Sequence, residues 1–191
     1  MNLRENIQAC IEKEIQVLRA LDYEELNRAV NAILDTRNRG GTIYTMGNGG
    51  SAATASHMVC DLAKGTSEAL GGPRFHVECL SDNTPIMMAI ANSFCYEDIF
   101  VYQLQGQLKP RDLVIAISSS GNSENVLRAI RYAKAQGASV VGITGYSGGE
   151  VKELADYSMH VAINDMQISE DVHMIFDHVI MRVLSKTKSI G

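Results

Sequence analysis

The first forty residues carry apolar side chains at helical spacing. Apolar positions recur every three or four residues in two segments, 2–20 and 23–39, and this period is typical of amphipathic helices. Asp22 is suited to cap the second helix and Gly40 to end it. The two apolar stripes consist of Ile7, Ile11, Ile15 and Leu18, then Leu26, Val30, Ile33 and Leu34. The chain therefore begins with two predicted helices.

From residue 42 onward, short β-rich runs alternate with longer stretches of chain. The runs are apolar on both faces, and strands of that kind separated by helices form parallel sheets covered on both sides. The clearest crossover helix spans 122–136, and a last helix spans about 168–186. The β-rich runs are 42–46, 75–80, 113–117, 139–143 and 159–163. The pattern predicts an α/β fold.

The length of 191 residues suits one domain over 1–191. We expect helices at 1–39 that serve subunit packing, followed by an α/β core and closing helix at 40–187. The last helix has a wide apolar face for a surface helix, so we expect it to pack against another subunit together with the first helix. That face carries Val172, Ile175, Phe176, Val179, Ile180 and Leu184.

Charge and composition restrict the partners and the compartment. The formal net charge is −5 and the apolar fraction is 46%, and no dense Lys/Arg stripe is present, so direct nucleic-acid binding is not expected. The polar N-terminus lacks the apolar stretch of a signal peptide, and no run is long enough to span a membrane. The four cysteines are widely spaced, which is typical of reduced thiols. We expect a cytoplasmic protein.

Two loops rich in glycine and serine each lie between a predicted strand and a predicted helix. They are Gly47–Ser51 and Ser118–Ser123. Free backbone N–H groups at a helix start, together with serine hydroxyls, bind anions, and a phosphate of a small molecule fits best. The alternative is that the serines only cap helices. Neither loop has the GxGxxG or GxxxxGK[ST] spacing, so we expect no nucleotide cofactor.

Titratable side chains lie on the helix after the first loop and on the last helix. His57 and Asp61 are four residues apart and share one helix face, which an ordinary surface contact would also explain. The last helix carries Glu170, Asp171, His173, Asp177 and His178. Such groups act as acid and base near neutral pH, or bind a divalent metal. Zinc would accept His57, Asp61, Glu170 and His178.

The two loops, together with the Gly142–Gly145 turn, resemble the sugar isomerase (SIS) domain family, and most of all its phosphoheptose isomerases. The resemblance runs from about residue 5 to residue 185. It implies a three-layer α-β-α sandwich of flavodoxin-like type, with a five-stranded parallel sheet preceded by two helices. It also implies a homotetramer with sites at subunit interfaces, a phosphorylated sugar as the ligand, and zinc.

The resemblance also assigns roles to residues of this chain. His57 matches a zinc-linked histidine, and His178 matches a histidine that acts in proton transfer. The phosphate would lie on Ser118, Ser119, Ser120 and Ser123. The sugar would contact Asn48, Gly49, Gly50 and Ser51, with Asn92 and Ser93 nearby.

This chain departs from the family pattern at several site positions. Asp61 stands where the family has a catalytic glutamate, and Glu170 stands where it has a glutamine. Ser93 replaces an aspartate, which removes one carboxylate near the sugar. The family's arginine in the loop 64–74 aligns with Gly65, so Lys64 and Arg74 are the candidates for its role.

The leading hypothesis is an aldose–ketose isomerase that acts on a phosphorylated sugar through an enediol, with sedoheptulose 7-phosphate implied by the resemblance. Asp61 or Glu170 would be the base and His178 the acid. One alternative is an isomerase for another phosphosugar. The other is a non-catalytic protein of the same family that binds sugar phosphates or associates with a replication initiator.

Overall fold

A computed structural model describes residues 2–187, and after two N-terminal helices each strand is followed by one or more helices. A π-helical segment, Asp61–Thr66, joins α3 to α4, and a 3-10 turn, Tyr96–Asp98, lies between α5 and α6. The helices and strands, in chain order, are α1 (Arg4–Arg19), α2 (Tyr23–Asn38), β1 (Thr42–Gly47), α3 (Gly50–Cys60), α4 (Ser67–Leu70), β2 (His76–Cys79), α5 (Thr84–Ser93), α6 (Val101–Leu104), β3 (Leu113–Ser118), α7 (Glu124–Ala135), β4 (Ser139–Thr144), α8 (Gly149–Leu154), β5 (Tyr157–His160) and α9 (Met166–Lys186).

The strands form one parallel sheet of five strands in the order β2-β1-β3-β4-β5. This is the strand order of flavodoxin-like doubly wound folds. The predicted α/β class and the five-stranded parallel sheet are therefore confirmed. The last strand begins and ends earlier than predicted, at Tyr157–His160. Val161 follows the strand but is fully buried, so the apolar pattern continues beyond the end of the strand.

Both faces of the sheet are apolar because successive side chains on a strand point to opposite sides. Along β3, Leu113, Ile115 and Ile117 pack into one hydrophobic cluster. Val114 and Ala116 pack into the other. Each fully buried aliphatic side chain of this kind contributes roughly 1.5–3 kcal/mol to folding, so a strand of this composition is stable only between two helical layers.

Helices cover the sheet on both sides and complete the three layers. Helices α2, α3 and α9 contribute Ile33, Met58 and Phe176 to the first cluster. Helices α5 to α8 cover the opposite face, with Leu127 of α7 and Val151 of α8 in the second cluster. The loops after β1 and β3 both lie at the carboxyl end of this parallel sheet. The helical layers cover the two faces of the sheet and leave this end open for a ligand.

The structure corrects part of the prediction that the apolar face of the last helix packs against another subunit. Val172, Phe176, Ile180 and Leu184 of its apolar face lie in the protein's own core, because α9 packs on the sheet. Among the predicted residues only Val179 is strongly exposed, with Val183 beside it. Helix α1 has no buried residue, and Ile7 and Ile11 on the helix, with Leu3 at its N-cap, are exposed to solvent. These exposed groups are the surface that the predicted subunit contact would use.

The limits of the predicted domain extend slightly beyond the structure. Met1 and residues 188–191 lie outside the described residues, so the domain limits 1–191 stay a prediction. Within residues 2–187, no helix combines the length and apolar character that a bilayer crossing needs. All four cysteines are unpaired thiols.

Candidate active site

The two glycine- and serine-rich loops meet where the strand order of the sheet reverses. Gly47 ends β1, Ser118 ends β3, and these strands are direct neighbours, with Gly47 paired to Ile117. The connections from the two strands lead to opposite faces of the sheet, which opens a crevice at their carboxyl ends. In doubly wound folds this crevice is where ligands bind. The loops predicted to grip one ligand are therefore side by side.

A cavity of about 210 Å³ lies between these loops and the start of α9. We call it the serine pocket. Its wall is formed mainly by small polar side chains, with one carboxylate and one phenol, and neither lysine nor arginine is among the described residues that line it. The lining residues are Asn48, Ser51, Ile117, Ser118, Ser119, Ser120, Ser123, Tyr146, Met166 and Glu170.

The serine loop is not explained by helix capping. Ser123 occupies the N-cap position of α7, yet its side chain makes no capping hydrogen bond. Its hydroxyl lies 3.1 Å from the Ser118 hydroxyl instead. The Ser119 hydroxyl is buried and has no hydrogen-bond partner. A buried hydroxyl without a partner is costly, so Ser119 is free to donate to a ligand oxygen.

Asn48, predicted to contact the sugar, is held by two residues that the sequence analysis did not single out. The Asn125 amide donates to Asn48 Oδ1 at 2.9 Å, and Asn48 Nδ2 donates to Asn125 Oδ1 at 3.0 Å. The Tyr96 hydroxyl donates to the same Asn48 oxygen at 2.8 Å. Because Asn125 is buried at the start of α7, the Asn48 side chain is fixed before any ligand arrives.

We expect Tyr96→Phe to raise KM for the phosphorylated sugar that the family resemblance implies about 2- to 10-fold, because one neutral hydrogen bond of about 0.5–1.5 kcal/mol is lost. Steady-state kinetics measure this effect. Tyr102→Phe is the matched control, since Tyr102 is an exposed tyrosine that stacks on Phe94. An unchanged KM in Tyr96→Phe would show that the Tyr96 hydroxyl does not position Asn48 for binding.

Glu170 reaches the serine pocket from the first part of α9. Its carboxylate packs so closely against Gly50 that a Cβ there would lie 2.3 Å from Glu170 Oε2. Gly50 is the first residue of α3, and the positive end of a helix dipole favours a negative charge. Glu170 was predicted as a metal ligand or as the base. The structure places its carboxylate against Gly50, in the loop predicted to contact the sugar, and in the wall of the serine pocket.

The other predicted titratable groups meet farther along α3 and α9. His57 Nε2 lies 3.7 Å from Asp61 Oδ1 and 3.3 Å from His178 Nε2. Asp61 is the first residue of the π-helical segment, and such segments are frequent at functional sites. One possible ligand atom from each of four residues, His57, Asp61, Asp177 and His178, lies within 4.8 Å of the others. We call these residues the His–Asp cluster. Glu170 is not a member.

Burial is the largest cause of the pKa shifts of two α9 side chains, Asp177 and His173. Asp177 is 1% exposed, and burial, together with the nearby charge of Asp61, raises the pKa of its carboxyl to about 7. Burial lowers the pKa of His173 to about 4, although the Thr144 backbone partly opposes the shift. Neither side chain has a hydrogen-bond partner of normal geometry. His173 is therefore a neutral core residue at pH 7.

Comparison with known proteins connects this arrangement to a family. Residues 8–145 match the SIS domain family, and a phosphoheptose isomerase from Aliarcobacter butzleri is 34% identical over 167 residues, 87% of each chain. The chain belongs to the SIS domain family, with the phosphoheptose isomerases. A phosphoheptose isomerase from Mycobacterium bovis is 37% identical over 158 residues, 82% of this chain and 79% of the relative.

The same fold is found in a solved phosphoheptose isomerase from Neisseria gonorrhoeae. The two structures superpose with a TM-score of 0.88 at 23% identity, over 97% of this chain and 100% of the other. The three-layer SIS architecture predicted from the two loops is thus confirmed.

The His–Asp cluster has the chemistry of a divalent-metal site. It contains His57, Asp61 and His178 of the four predicted zinc ligands, and its fourth member is Asp177 in place of Glu170. The two imidazole Nε2 atoms face each other at 3.3 Å, and both oxygens of Asp177 and one of Asp61 lack a partner. Neutral imidazoles and ionised carboxylates are the ligands that zinc and similar ions take. The residues present therefore fit such an ion.

Several residues predicted for the sugar lie away from the serine pocket. Asn92 and Ser93 are exposed at the end of α5. Lys64 and Arg74 are also exposed. None of these four residues is among the described residues that line the serine pocket. Their assignment to the sugar or its phosphate stays a prediction.

Proposed function

We propose that this protein is a phosphosugar aldose–ketose isomerase that interconverts sedoheptulose 7-phosphate and D-glycero-D-manno-heptose 7-phosphate. The observation that carries the proposal is the serine pocket at the sheet's switch point, with the Glu170 carboxylate inside it. The pocket supplies neutral donors for a phosphate and one base for a carbon-bound proton. The named activity of the curated relatives supports this substrate.

The serine loop holds the phosphate. Ser119 and Ser120 donate hydroxyl hydrogens to phosphate oxygens, while Ser118 and Ser123 keep the loop in shape through their mutual contact. Asn48, fixed by Asn125 and Tyr96, orients a sugar hydroxyl, and Gly49, Gly50 and Ser51 leave room for the chain of carbons. Binding energy from the phosphate then holds the reacting carbons in register.

Glu170 is the base that moves the carbon-bound proton in this proposal. Its carboxylate takes the proton from C1 of the ketose, and the electron pair of that C–H bond becomes the second bond of the enediol. The proton returns to C2 to give the aldose. The net reaction also moves a proton from the C1 hydroxyl oxygen to the C2 carbonyl oxygen. His178, which the family resemblance assigns to proton transfer, is placed at the metal site in this proposal.

His57, Asp61 and His178 would hold the divalent metal ion of this site. When bound, such an ion supplies positive charge that stabilises negative charge on the oxygens of the substrate. Asp61 is then occupied as a ligand. This is why we assign the base to Glu170, the acidic side chain that lines the serine pocket.

We further propose a zinc-containing homotetramer in the cytoplasm. The exposed apolar residues of α1 and the exposed Val179 and Val183 of α9 supply surface for subunit contacts. Four unpaired cysteines suit a reducing compartment. Size-exclusion chromatography with light scattering and metal analysis of the purified protein test the assembly and the ion.

Incubation with sedoheptulose 7-phosphate in D₂O, followed by proton NMR, tests the reaction. We expect a new aldose with deuterium at C2, because the enediol exchanges its proton with solvent. Fructose 6-phosphate and ribulose 5-phosphate serve as comparison substrates. Turnover of one of these, without turnover of the heptulose, would reassign the substrate and keep the reaction class.

A second candidate function is a non-catalytic sugar-phosphate binder. The substitutions at the site favour it, because Asp61 is shorter than the glutamate that the family pattern has there, and Ser93 removes a carboxylate. This candidate predicts binding of the heptulose phosphate with neither product nor deuterium exchange in the same experiment.

We expect Ser119→Ala to raise KM for the sugar phosphate about 10- to 100-fold, since a hydrogen bond to a charged group contributes about 1.5–3 kcal/mol. Thermal stability of the free protein should not fall, because the hydroxyl that is removed has no partner. Ser185→Ala is the matched control: Ser185 Oγ is also buried without a partner, but it lies on α9 outside the serine pocket. An equal KM in both variants would exclude Ser119 from phosphate binding.

A further inference from the structure

Asp177 is an aspartate in the core of the protein for which the proposed reaction has no role. It is 1% exposed, and neither of its carboxylate oxygens has a hydrogen-bond partner. Buried ionised groups are costly unless a charge or a metal compensates them. His173, one helical turn earlier, does not supply the compensation, because both of its ring nitrogens also lack partners.

The side chain of Asp177 is directed at the other titratable groups of the His–Asp cluster. One ligand atom from each of Asp177, Asp61, His57 and His178 lies within 4.8 Å of the others. The Asp61 oxygen Oδ2 is also buried without a partner. The buried Asp177 carboxylate and the half-buried Asp61 carboxylate lie beside two imidazole nitrogens that are 3.3 Å apart. Together they supply enough ligand atoms for one cation, and no lysine or arginine among residues 2–187 forms an ion pair with either carboxylate.

We infer that Asp177 is the fourth protein ligand of a divalent transition-metal ion in this cluster. It takes the place that the sequence analysis gave to Glu170, whose carboxylate packs against Gly50 instead. Two aspartates and two neutral histidines balance the charge of a divalent ion. This set leaves Glu170 free for the proton transfer proposed above.

The ligand atoms of the His–Asp cluster also determine which class of metal ion it suits. Carboxylate oxygens and imidazole nitrogens, without thiolate, suit zinc, cobalt, iron and manganese in their divalent states. Cys60 precedes Asp61 directly but is not one of the cluster's ligand-bearing residues. The ion therefore binds through oxygen and nitrogen alone.

Metal titration of the full-length, metal-stripped protein tests the inference. Zn²⁺ affinity is measured by competition with a chromophoric chelator, and Co²⁺ binding by its visible absorption bands. We expect Asp177→Asn, a neutral side chain of the same shape, to weaken Zn²⁺ binding at least about 10- to 100-fold and to change the Co²⁺ spectrum. Glu170→Gln should bind Zn²⁺ as the unsubstituted protein does.

Asp171→Asn is the matched control, since Asp171 is an exposed aspartate on the same helix. The thermal midpoint of metal-free Asp177→Asn should be no lower than that of the unsubstituted metal-free protein, because the substitution removes an unpaired buried charge. The Zn²⁺ affinity is also measured for a second variant, Asp177→Ser, in which the serine side chain is smaller than that of aspartate.

Unchanged Zn²⁺ affinity in both Asp177 variants would overturn the inference. So would an equal loss in Glu170→Gln, or the absence of stoichiometric binding to the unsubstituted protein. The inference rests on the site of the proposed isomerase, but the titration contains no sugar. Failure of the isomerase proposal in the NMR experiment is therefore distinguishable from failure of the metal assignment.

Discussion

Glu170→Gln should lower kcat for heptulose 7-phosphate isomerisation by about 10²- to 10⁴-fold, the range that general-base catalysis contributes, while KM changes little. The amide keeps the shape of the side chain beside Gly50 but cannot accept a proton. Steady-state kinetics, together with the rate of deuterium exchange at C1 in D₂O, measure the effect. Both rates should fall together, because both require the same proton abstraction.

Asp61→Asn is the informative comparison for this variant. If Asp61 is a metal ligand, its substitution should also lower activity, but added Zn²⁺ should restore part of it. Glu170→Gln should not respond to the metal. Glu153→Gln, an exposed glutamate on α8, is the control for charge. Activity of Glu170→Gln within threefold of the unsubstituted protein would return the role of base to Asp61.

Gly121→Ala should destabilise the protein by about 3 kcal/mol and disorganise the serine loop. Gly121 has φ of +70°, and an added Cβ would lie 1.8 Å from the carbonyl oxygen of Gly148. That oxygen belongs to backbone, so relief requires the loop after β4 to move. For a chain of this size a loss of this magnitude corresponds to a fall in melting temperature of roughly 6–12 °C.

Gly106→Ala is the matched control for this prediction. Gly106 has φ of +76°, but nothing lies within 4 Å of an added Cβ, so only the backbone cost of about 1–2 kcal/mol remains. Thermal unfolding of the two variants separates the steric effect from the conformational one. Equal melting temperatures would mean that the contact between Gly121 and Gly148 does not hold the loop. We also expect KM to rise in Gly121→Ala alone, because Ser118 and Ser119 move with the loop.

The hydrophobic pattern located the strands because the signal is local. Leu113–Ser118 is apolar at nearly every position, and this composition is typical of a strand buried on both faces. Helix α5 was not predicted, although the sequence contains two signals for its start. The Asn83 side chain caps the helix, and Pro85 lies in its first turn. The π-helical segment at Asp61 has no comparable sequence signature, and its residues pack against α9.

The sequence by itself determined the fold class and the serine-rich loop for which phosphate binding is predicted, since both follow from residue types and spacing along one stretch of chain. It also supplied His57, Asp61 and His178, which the structure brings together. Only the tertiary structure shows that two carboxylates of α9 lie in different places. Glu170 lines the serine pocket, and Asp177 belongs to the His–Asp cluster. Helical spacing gives the face on which a side chain lies. Which neighbouring groups that face meets is decided by the packing of α9 against α3, over contacts more than one hundred residues apart in sequence, such as that between His57 and His178.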